Sequence, residues 1–149
     1  APEWVERVRG QMAELPRGSE TVMLVEDEPA SRVTLQRFLD SLGYAVLVAQ
    51  GPGEALCLCA NHPGRIDLLV TDVIMPGMSG RDLAQQLLAT RPQLKCLYIS
   101  GYTADIIAAR GILEKDVALL HKPFSRASLA VKVREVLGAD ATPAPLSPG

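Results

Sequence analysis

Five short apolar segments recur along this chain, and a stretch with helical spacing of apolar residues follows each of them. The turns between them are short and rich in glycine and proline. Strands and helices that alternate in this way predict an α/β fold, with a parallel sheet covered by helices on both faces and right-handed crossovers. The predicted strands are Thr21–Val25, Tyr44–Ala49, Ile66–Val70, Leu94–Ser100 and Val117–His121.

Residues 21–138 hold all of these segments and form one predicted domain, which is what a length of 149 residues allows. Residues 1–20 are interpreted as a leader or linker, and the proline-rich residues 139–149 as a disordered tail. Five helices are predicted, at Pro29–Leu42, Glu54–Asn61, Ser79–Thr90, Ala104–Gly111 and Ser125–Leu137. Ser79 and Ser125 are the predicted caps of their helices, and the apolar face of the first helix includes Val33, Leu35 and Leu39.

The charge and hydropathy of the chain exclude several functions. A net charge of -2 and a pI near 5.7 give no basic field for nucleic acid. No apolar run is long enough to cross a bilayer. Glu3, Glu6 and Arg7 stand where a signal peptide would need an apolar core. We therefore expect a cytoplasmic domain without nucleic-acid or membrane contacts.

The chain has 3 cysteines, Cys57, Cys59 and Cys96, and none of them has a partner at zinc-finger spacing. Because the number is odd and a cytosolic protein keeps its thiols reduced, we expect small core residues rather than disulfides.

Polar residues lie at or just after the carboxyl ends of four predicted strands. Glu26 and Asp27 follow the first strand, Asp72 the third, Ser100 ends the fourth, and Lys122 follows the fifth. A lone residue of this kind is usually a helix cap or a turn residue. In a parallel sheet, however, all carboxyl ends lie along one edge, where open α/β folds bind their ligands. We therefore expect these side chains to converge, with Asp72 exposed and central.

Three carboxylates in one place repel one another, by about 4 kcal/mol for a pair about 4 Å apart at an effective dielectric near 20. Such a cluster needs a cation, and oxygen ligands select Mg²⁺, which also binds phosphate oxygens. Lys122 adds a positive charge and Ser100 a hydroxyl donor, a combination that suits phosphoryl transfer. The nucleophile is then a carboxylate, for which Asp72 is the candidate.

Four ordered motifs carry a resemblance. They are Val-Glu-Asp-Glu-Pro at 25–29, Thr-Asp-Val-Ile-Met-Pro-Gly-Met-Ser-Gly at 71–80, Ser-Gly-Tyr-Thr at 100–103 and Lys-Pro-Phe at 122–124. From about Thr21 to Leu137 the chain resembles the receiver domain of two-component response regulators. The resemblance implies a flavodoxin-like, doubly wound five-stranded sheet of order 2-1-3-4-5 with five helices.

The resemblance also implies roles. Asp72 would accept a phosphoryl group from the phosphohistidine of a histidine kinase or histidine phosphotransfer domain. Asp27 would bind Mg²⁺ directly and Glu26 through water, with Asp72 itself and the backbone carbonyl of Ile74 as further ligands. Ser100 and Lys122 would bind the phosphoryl oxygens. The Lys122–Pro123 peptide bond would be cis, which proline permits at low cost.

One position departs from the family. Many receivers carry an aromatic switch residue three positions before the lysine, where this chain has Leu119. We therefore expect a weak switch surface and a domain that stays monomeric.

Two alternatives to a phosphoacceptor remain open, namely a degenerate receiver that serves only as an interaction scaffold and an aspartyl-phosphate phosphatase. The phosphatases carry a second aspartate two residues after the nucleophile, where this chain has Ile74. The proline-rich end and the Gly-Ser-Glu-Thr lead into the first strand resemble receivers at the carboxyl terminus of hybrid histidine kinases.

Overall fold

The computed structural model of the protein describes residues 15–101 and 117–138. These residues form a five-stranded sheet of order β2-β1-β3-β4-β5, in which all neighbouring strands are parallel. The sequence-predicted order and direction are therefore confirmed. The strands are β1 (Thr21–Val25), β2 (Ala45–Ala49), β3 (Leu68–Asp72), β4 (Lys95–Ser100) and β5 (Leu119–His121).

Four of the five predicted helices fall within the described residues. They are α1 (Pro29–Ser41), α2 (Pro52–Asn61), α3 (Gly80–Thr90) and α4 (Arg126–Leu137). The helix predicted at 104–111 lies outside the described residues, as do residues 1–14 of the leader and the tail from 139 onward. Within the described ranges, no helix has the length and apolar character needed to traverse a membrane.

The third strand begins and ends two residues later than predicted. It was expected at Ile66–Val70, with Asp72 on the loop beyond it, but it begins at Leu68 and includes Asp72. The strand continues because β4 pairs with it as far as Asp72 opposite Ile99. Asp72 is therefore the last residue of a central strand.

The core lies in two layers, one on each face of the sheet, because successive strand residues point to opposite faces. On β1, Met23 packs in one layer, while Val22 and Leu24 pack in the other. Each of these side chains is fully buried, as the residues of a parallel sheet covered on both faces should be.

Two predictions about the core are wrong in part. Val33 is expected on the inner face of the first helix together with Leu35 and Leu39, but it is 45% exposed, whereas the two leucines are buried as expected. Of the cysteines only Cys59 is buried, whereas Cys57 is exposed and Cys96 is half-buried. Residues two apart on a helix do not share a face, so α2 can bury only one of its two cysteines.

Candidate functional site

Three carboxylates meet at the carboxyl ends of β1 and β3. Glu26, Asp27 and Asp72 each place a carboxylate oxygen within 4.8 Å of the others. The convergence inferred from the strand order is therefore present in the structure. The expectation that Asp72 is exposed is wrong. Only 8% of Asp72 and 1% of Glu26 is exposed, whereas Asp27 faces solvent.

The loop after β1 holds Glu26 in place through its main chain and its carboxylate. The Glu26 amide donates to the Ala49 carbonyl at 3.2 Å, which continues the β1–β2 ladder by one residue. The Glu28 amide donates to Oε2 of Glu26 at 3.1 Å. Because these bonds fix the main chain and the carboxylate of Glu26, its side chain points toward β3 rather than into solvent.

Asp72 is held by the turn that leads into α3. The Gly80 amide donates to the Val73 carbonyl at 2.8 Å, and a side chain at Gly80 would overlap the carbonyl oxygen of Asp72. Ser79 caps α3, as predicted, by accepting a hydrogen bond from the Asp82 amide at 3.1 Å. Glycine at position 80 therefore lets the helix begin directly against the end of β3.

Lys122 reaches the carboxylates from the end of β5. Its Nζ lies 3.4 Å from Oδ1 of Asp72 and 3.5 Å from Oε1 of Glu26. The Lys122 amide donates to the Ser100 carbonyl at 2.8 Å, which joins the ends of β4 and β5. The Lys122–Pro123 peptide bond is cis.

Burial and mutual repulsion make this site costly without a further cation. Burial, and after it the neighbouring Glu26 carboxylate, raise the pKa of Asp72 to about 8, although Lys122 opposes the shift. Burial lowers the pKa of Lys122, but the attraction of Asp72 and Glu26 outweighs it and leaves that pKa raised. One lysine therefore does not balance the carboxylates around it.

The donor atoms fit a hard divalent cation. Oε1 of Glu26 is buried and accepts no hydrogen bond from the described residues, and Lys122 at 3.5 Å makes only an ion pair with it. The ligands on offer are carboxylate oxygens, which Mg²⁺ prefers. They line a cleft of about 290 Å³. All the residues predicted to bind the metal or the phosphoryl group line this cleft: Glu26, Asp27, Asp72, Ile74, Ser100 and Lys122.

Ser100 and Ile74 differ in their environment. Ser100 ends β4 and is only 5% exposed, while the side chain of Ile74, in the loop after β3, is 56% exposed. Burial of Ser100 was not expected for a strand-end hydroxyl. It follows from the position of β4 between β3 and β5.

Leu119, at the predicted switch position, lies outside the cleft. It is half-buried on β5 and pairs in register with Tyr98 of β4, and both belong to the same core layer. Burial raises the pKa of Tyr98 to about 12. The sequence interpretation did not single out Tyr98, although its place two residues before Ser100 on a strand puts it on the same face as Ser100.

The comparisons with known proteins agree with this geometry. The model of the response regulator receiver domain family matches residues 22–134. The chain belongs to this family. The receiver resemblance carried by the four sequence motifs is thereby confirmed.

Several relatives are more specific. The chain is 42% identical to the sensor kinase CckA of Brucella abortus over 120 residues, which are 80% of this chain and 13% of that protein. The receiver domain of the hybrid histidine kinase CckA, a crystal structure, has a TM-score of 0.66 and 36% identity, and the match covers 79% of this chain and 99% of that domain. The chain thus spans only a small part of the sensor kinase's length.

A further similar structure contains ligands. The response regulator TrrA of Thermotoga maritima, in complex with Mg²⁺ and BeF, has a TM-score of 0.68 and 26% identity. The match covers 79% of this chain and 99% of TrrA. TrrA, which is similar to this chain, therefore binds Mg²⁺ together with BeF.

Proposed function

We propose that this receiver domain is a phosphoacceptor, which takes a phosphoryl group from a phosphohistidine onto Asp72 in a Mg²⁺-dependent reaction. The observation that carries the proposal is the convergence of three carboxylates with Lys122 Nζ, which lies 3.4 Å from Oδ1 of Asp72. A role in capping the following helix would explain Glu26 and Asp27 but no other residue of the cleft. It would not explain a lysine and a second strand's aspartate in the same cleft.

In the proposed reaction an oxygen of Asp72 attacks the phosphorus of the phosphohistidine. The new P–O bond forms as the P–N bond breaks, and the bonding pair returns to the histidine ring, which takes up a proton. Asp72 must be ionised to attack, and Lys122 favours that form because its positive charge lowers the pKa of Asp72.

Asp27 and Asp72 would hold the Mg²⁺ directly, Glu26 through water, and the backbone carbonyl of Ile74 would complete the protein ligands. When bound, Mg²⁺ supplies the positive charge that offsets the carboxylates and the negative charge on the transferring oxygens. Lys122 would bind one phosphoryl oxygen after transfer, since its half-buried ammonium already faces Asp72. The Ser100 hydroxyl would bind another from the end of β4.

The donor would be a histidine kinase or a histidine phosphotransfer domain. Similarity to one segment of the sensor kinase CckA supports a hybrid histidine kinase as the parent protein. In that setting the domain would hold the phosphoryl group or pass it on, as a cytoplasmic monomer that contacts neither nucleic acid nor membrane.

Incubation with acetyl phosphate and Mg²⁺, followed by intact-mass spectrometry, tests the proposal. We expect a transient gain of one phosphoryl group that requires Mg²⁺ and is lost in Asp72→Asn. Asp40→Asn, which neutralises an exposed aspartate on α1, is the matched control and should label normally. Labelling of Asp72→Asn to the wild-type extent would refute the assignment.

The same experiment separates the alternatives. Sustained release of phosphate over many turnovers would favour an aspartyl-phosphate phosphatase. A wild-type protein that neither gains mass nor consumes acetyl phosphate would be a degenerate receiver.

A further inference from the structure

Arg32, on the first turn of α1, contacts the acidic loop through main-chain atoms only. Its Nη1 donates to the Glu26 carbonyl at 3.0 Å and to the Asp27 carbonyl at 3.4 Å. The first distance is ordinary for such a bond, and the second is long. Arg32 is half-buried and does not line the cleft, so its influence on the site passes through the loop.

The two carbonyl groups belong to the peptide planes on either side of Asp27. Because each peptide unit is planar, the relation between these two planes sets φ and ψ of Asp27 and the direction of its Cβ. The Glu28 amide, which lies in the second plane, donates to Oε2 of Glu26 at 3.1 Å. Arg32 thus holds both planes through their carbonyl groups, and the bond from the Glu28 amide to Glu26 holds the second plane as well.

Asp27 depends on this backbone control more than its neighbour does. Glu26 is 1% exposed and packing holds its side chain, whereas the side chain of Asp27 faces solvent. Packing therefore restrains the Asp27 carboxylate less than that of Glu26, and the direction of the Cα–Cβ bond, which the main chain sets, matters more at Asp27.

The positive charge of Arg32 is unfavourable at this position, near the start of a helix and beside a proposed metal site. A cation near the start of a helix faces the positive end of the helix dipole, which is unfavourable. The same charge repels a metal cation bound at Glu26, Asp27 and Asp72. Arg32 can favour metal binding only if the geometry it imposes outweighs its charge.

We propose that Arg32 is a positioning residue for the metal site, which holds the main chain around Asp27 so that its carboxylate faces Glu26 and Asp72. This inference rests on the proposed function, because it gives Arg32 a part in the same Mg²⁺ site. Removal of a group that orients a metal ligand commonly weakens metal binding by about 10–100-fold.

The test is a titration with Mg²⁺ alone, followed by calorimetry and by amide chemical shifts. The proteins are the wild type, Arg32→Met, Arg32→Lys and, as the matched control, Arg37→Met on the exposed side of α1. We expect about tenfold weaker Mg²⁺ binding for both Arg32 variants. Methionine has no donor for the two carbonyl groups, and lysine keeps the charge but lacks the guanidinium that reaches both of them. Arg37→Met should bind as the wild type does.

Two further readouts separate positioning from a structural role. The thermal midpoint in EDTA should change little in the Arg32 variants. At saturating Mg²⁺ their labelling by acetyl phosphate should approach the wild-type rate, since the defect lies in metal affinity. A labelling rate that stays low at saturating Mg²⁺, or a loss of affinity that only follows a lower midpoint, would overturn the inference.

Other outcomes also decide the matter. Tighter Mg²⁺ binding by Arg32→Met with unchanged binding by Arg32→Lys would show that the charge of Arg32 acts alone. Weak binding by Asp27→Asn with normal binding by both Arg32 variants would refute the role of Arg32 and leave the proposed function standing. A wild-type protein that binds no Mg²⁺ at millimolar concentrations would refute both.

Discussion

Lys122 Nζ lies 3.4 Å from Oδ1 of Asp72, and the same ammonium lies 3.5 Å from Oε1 of Glu26. The lysine at the end of β5 therefore stands between two buried carboxylates that come from two other strands. This arrangement relieves their repulsion in the metal-free protein and keeps a cation next to the proposed phosphoacceptor.

Lys122→Met should lower stability in EDTA by about 1–2 kcal/mol, a value between those of exposed and buried ion pairs. The loss should shrink in Mg²⁺, because a bound cation replaces the missing charge. Thermal unfolding in EDTA and in Mg²⁺ measures both effects. Lys132→Met is the matched control, since the Lys132 side chain is 33% exposed against 30% for Lys122. Equal midpoints for the two variants would show that Lys122 does not relieve the repulsion.

Asp72→Asn should raise stability in EDTA near neutral pH. The substitution removes a buried carboxyl whose ionisation is disfavoured by burial and by Glu26. A gain of about 1 kcal/mol would raise the midpoint by roughly 2–8 °C. The increase caused by Mg²⁺ should become smaller, because a ligand is lost. A lower midpoint for the variant in EDTA would contradict this account, and Asp40→Asn controls for the loss of an exposed carboxylate.

Glu20→Gln should destabilise the protein at pH 7 by about 1 kcal/mol and have no effect in strong acid. Burial of Glu20 raises its pKa, but the hydrogen bonds and charge of Arg134 outweigh burial and leave that pKa lowered. A lowered folded-state pKa gives stability that is present above the unfolded value and is lost as pH falls through the folded value. Thermal unfolding between pH 7 and pH 3 therefore tests the ion pair.

The geometry explains why this pair matters. Arg134 is 9% exposed, its Nη2 lies 2.5 Å from Oε2 of Glu20, and its Nε is buried without a hydrogen-bond partner among the described residues. Loss of Glu20 leaves a buried cation without its carboxylate. Glu135→Gln, at an exposed pair with Lys132, is the control. A constant effect of Glu20→Gln across the pH range would show that packing rather than charge is responsible.

Phosphorylation should leave the domain monomeric. Leu119 has no polar tip to exchange partners with, and it packs beside Tyr98 in the core layer that it already occupies. A ligand shifts an equilibrium only by its differential affinity for the two states, and two positions of a leucine differ little. Light scattering with Mg²⁺ and beryllofluoride measures this directly. Dimerisation on activation would show that Leu119 transmits the signal after all.

The amino-acid pattern alone predicted much of the fold. Alternating apolar and amphipathic segments predicted a parallel sheet, because each strand must bury both faces and each crossover needs a helix. The caps at Ser79 and at Ser125 were also read correctly from the sequence, since a cap is a local hydrogen bond within a few residues. The four motifs, finally, identified the family through the order in which they occur.

Exposure was decided only by tertiary structure. Asp72 is buried because β4 extends the pairing of β3 to its last residue, and Val33 is exposed because α1 turns Leu35 and Leu39, but not Val33, toward the sheet. Neither fact depends on local sequence. Both depend on which neighbouring element covers a given side chain.

The sequence by itself determined which residues of the proposed site are brought together, because strand ends in a parallel sheet share an edge whatever the side chains are. Only the tertiary structure decided how they interact. Lys122 reaches Asp72 and Glu26 at 3.4 and 3.5 Å, and Arg32 holds the loop at Asp27 through two carbonyl groups. Such contacts join side chains and main-chain atoms of different elements, and their distances depend on how those elements pack.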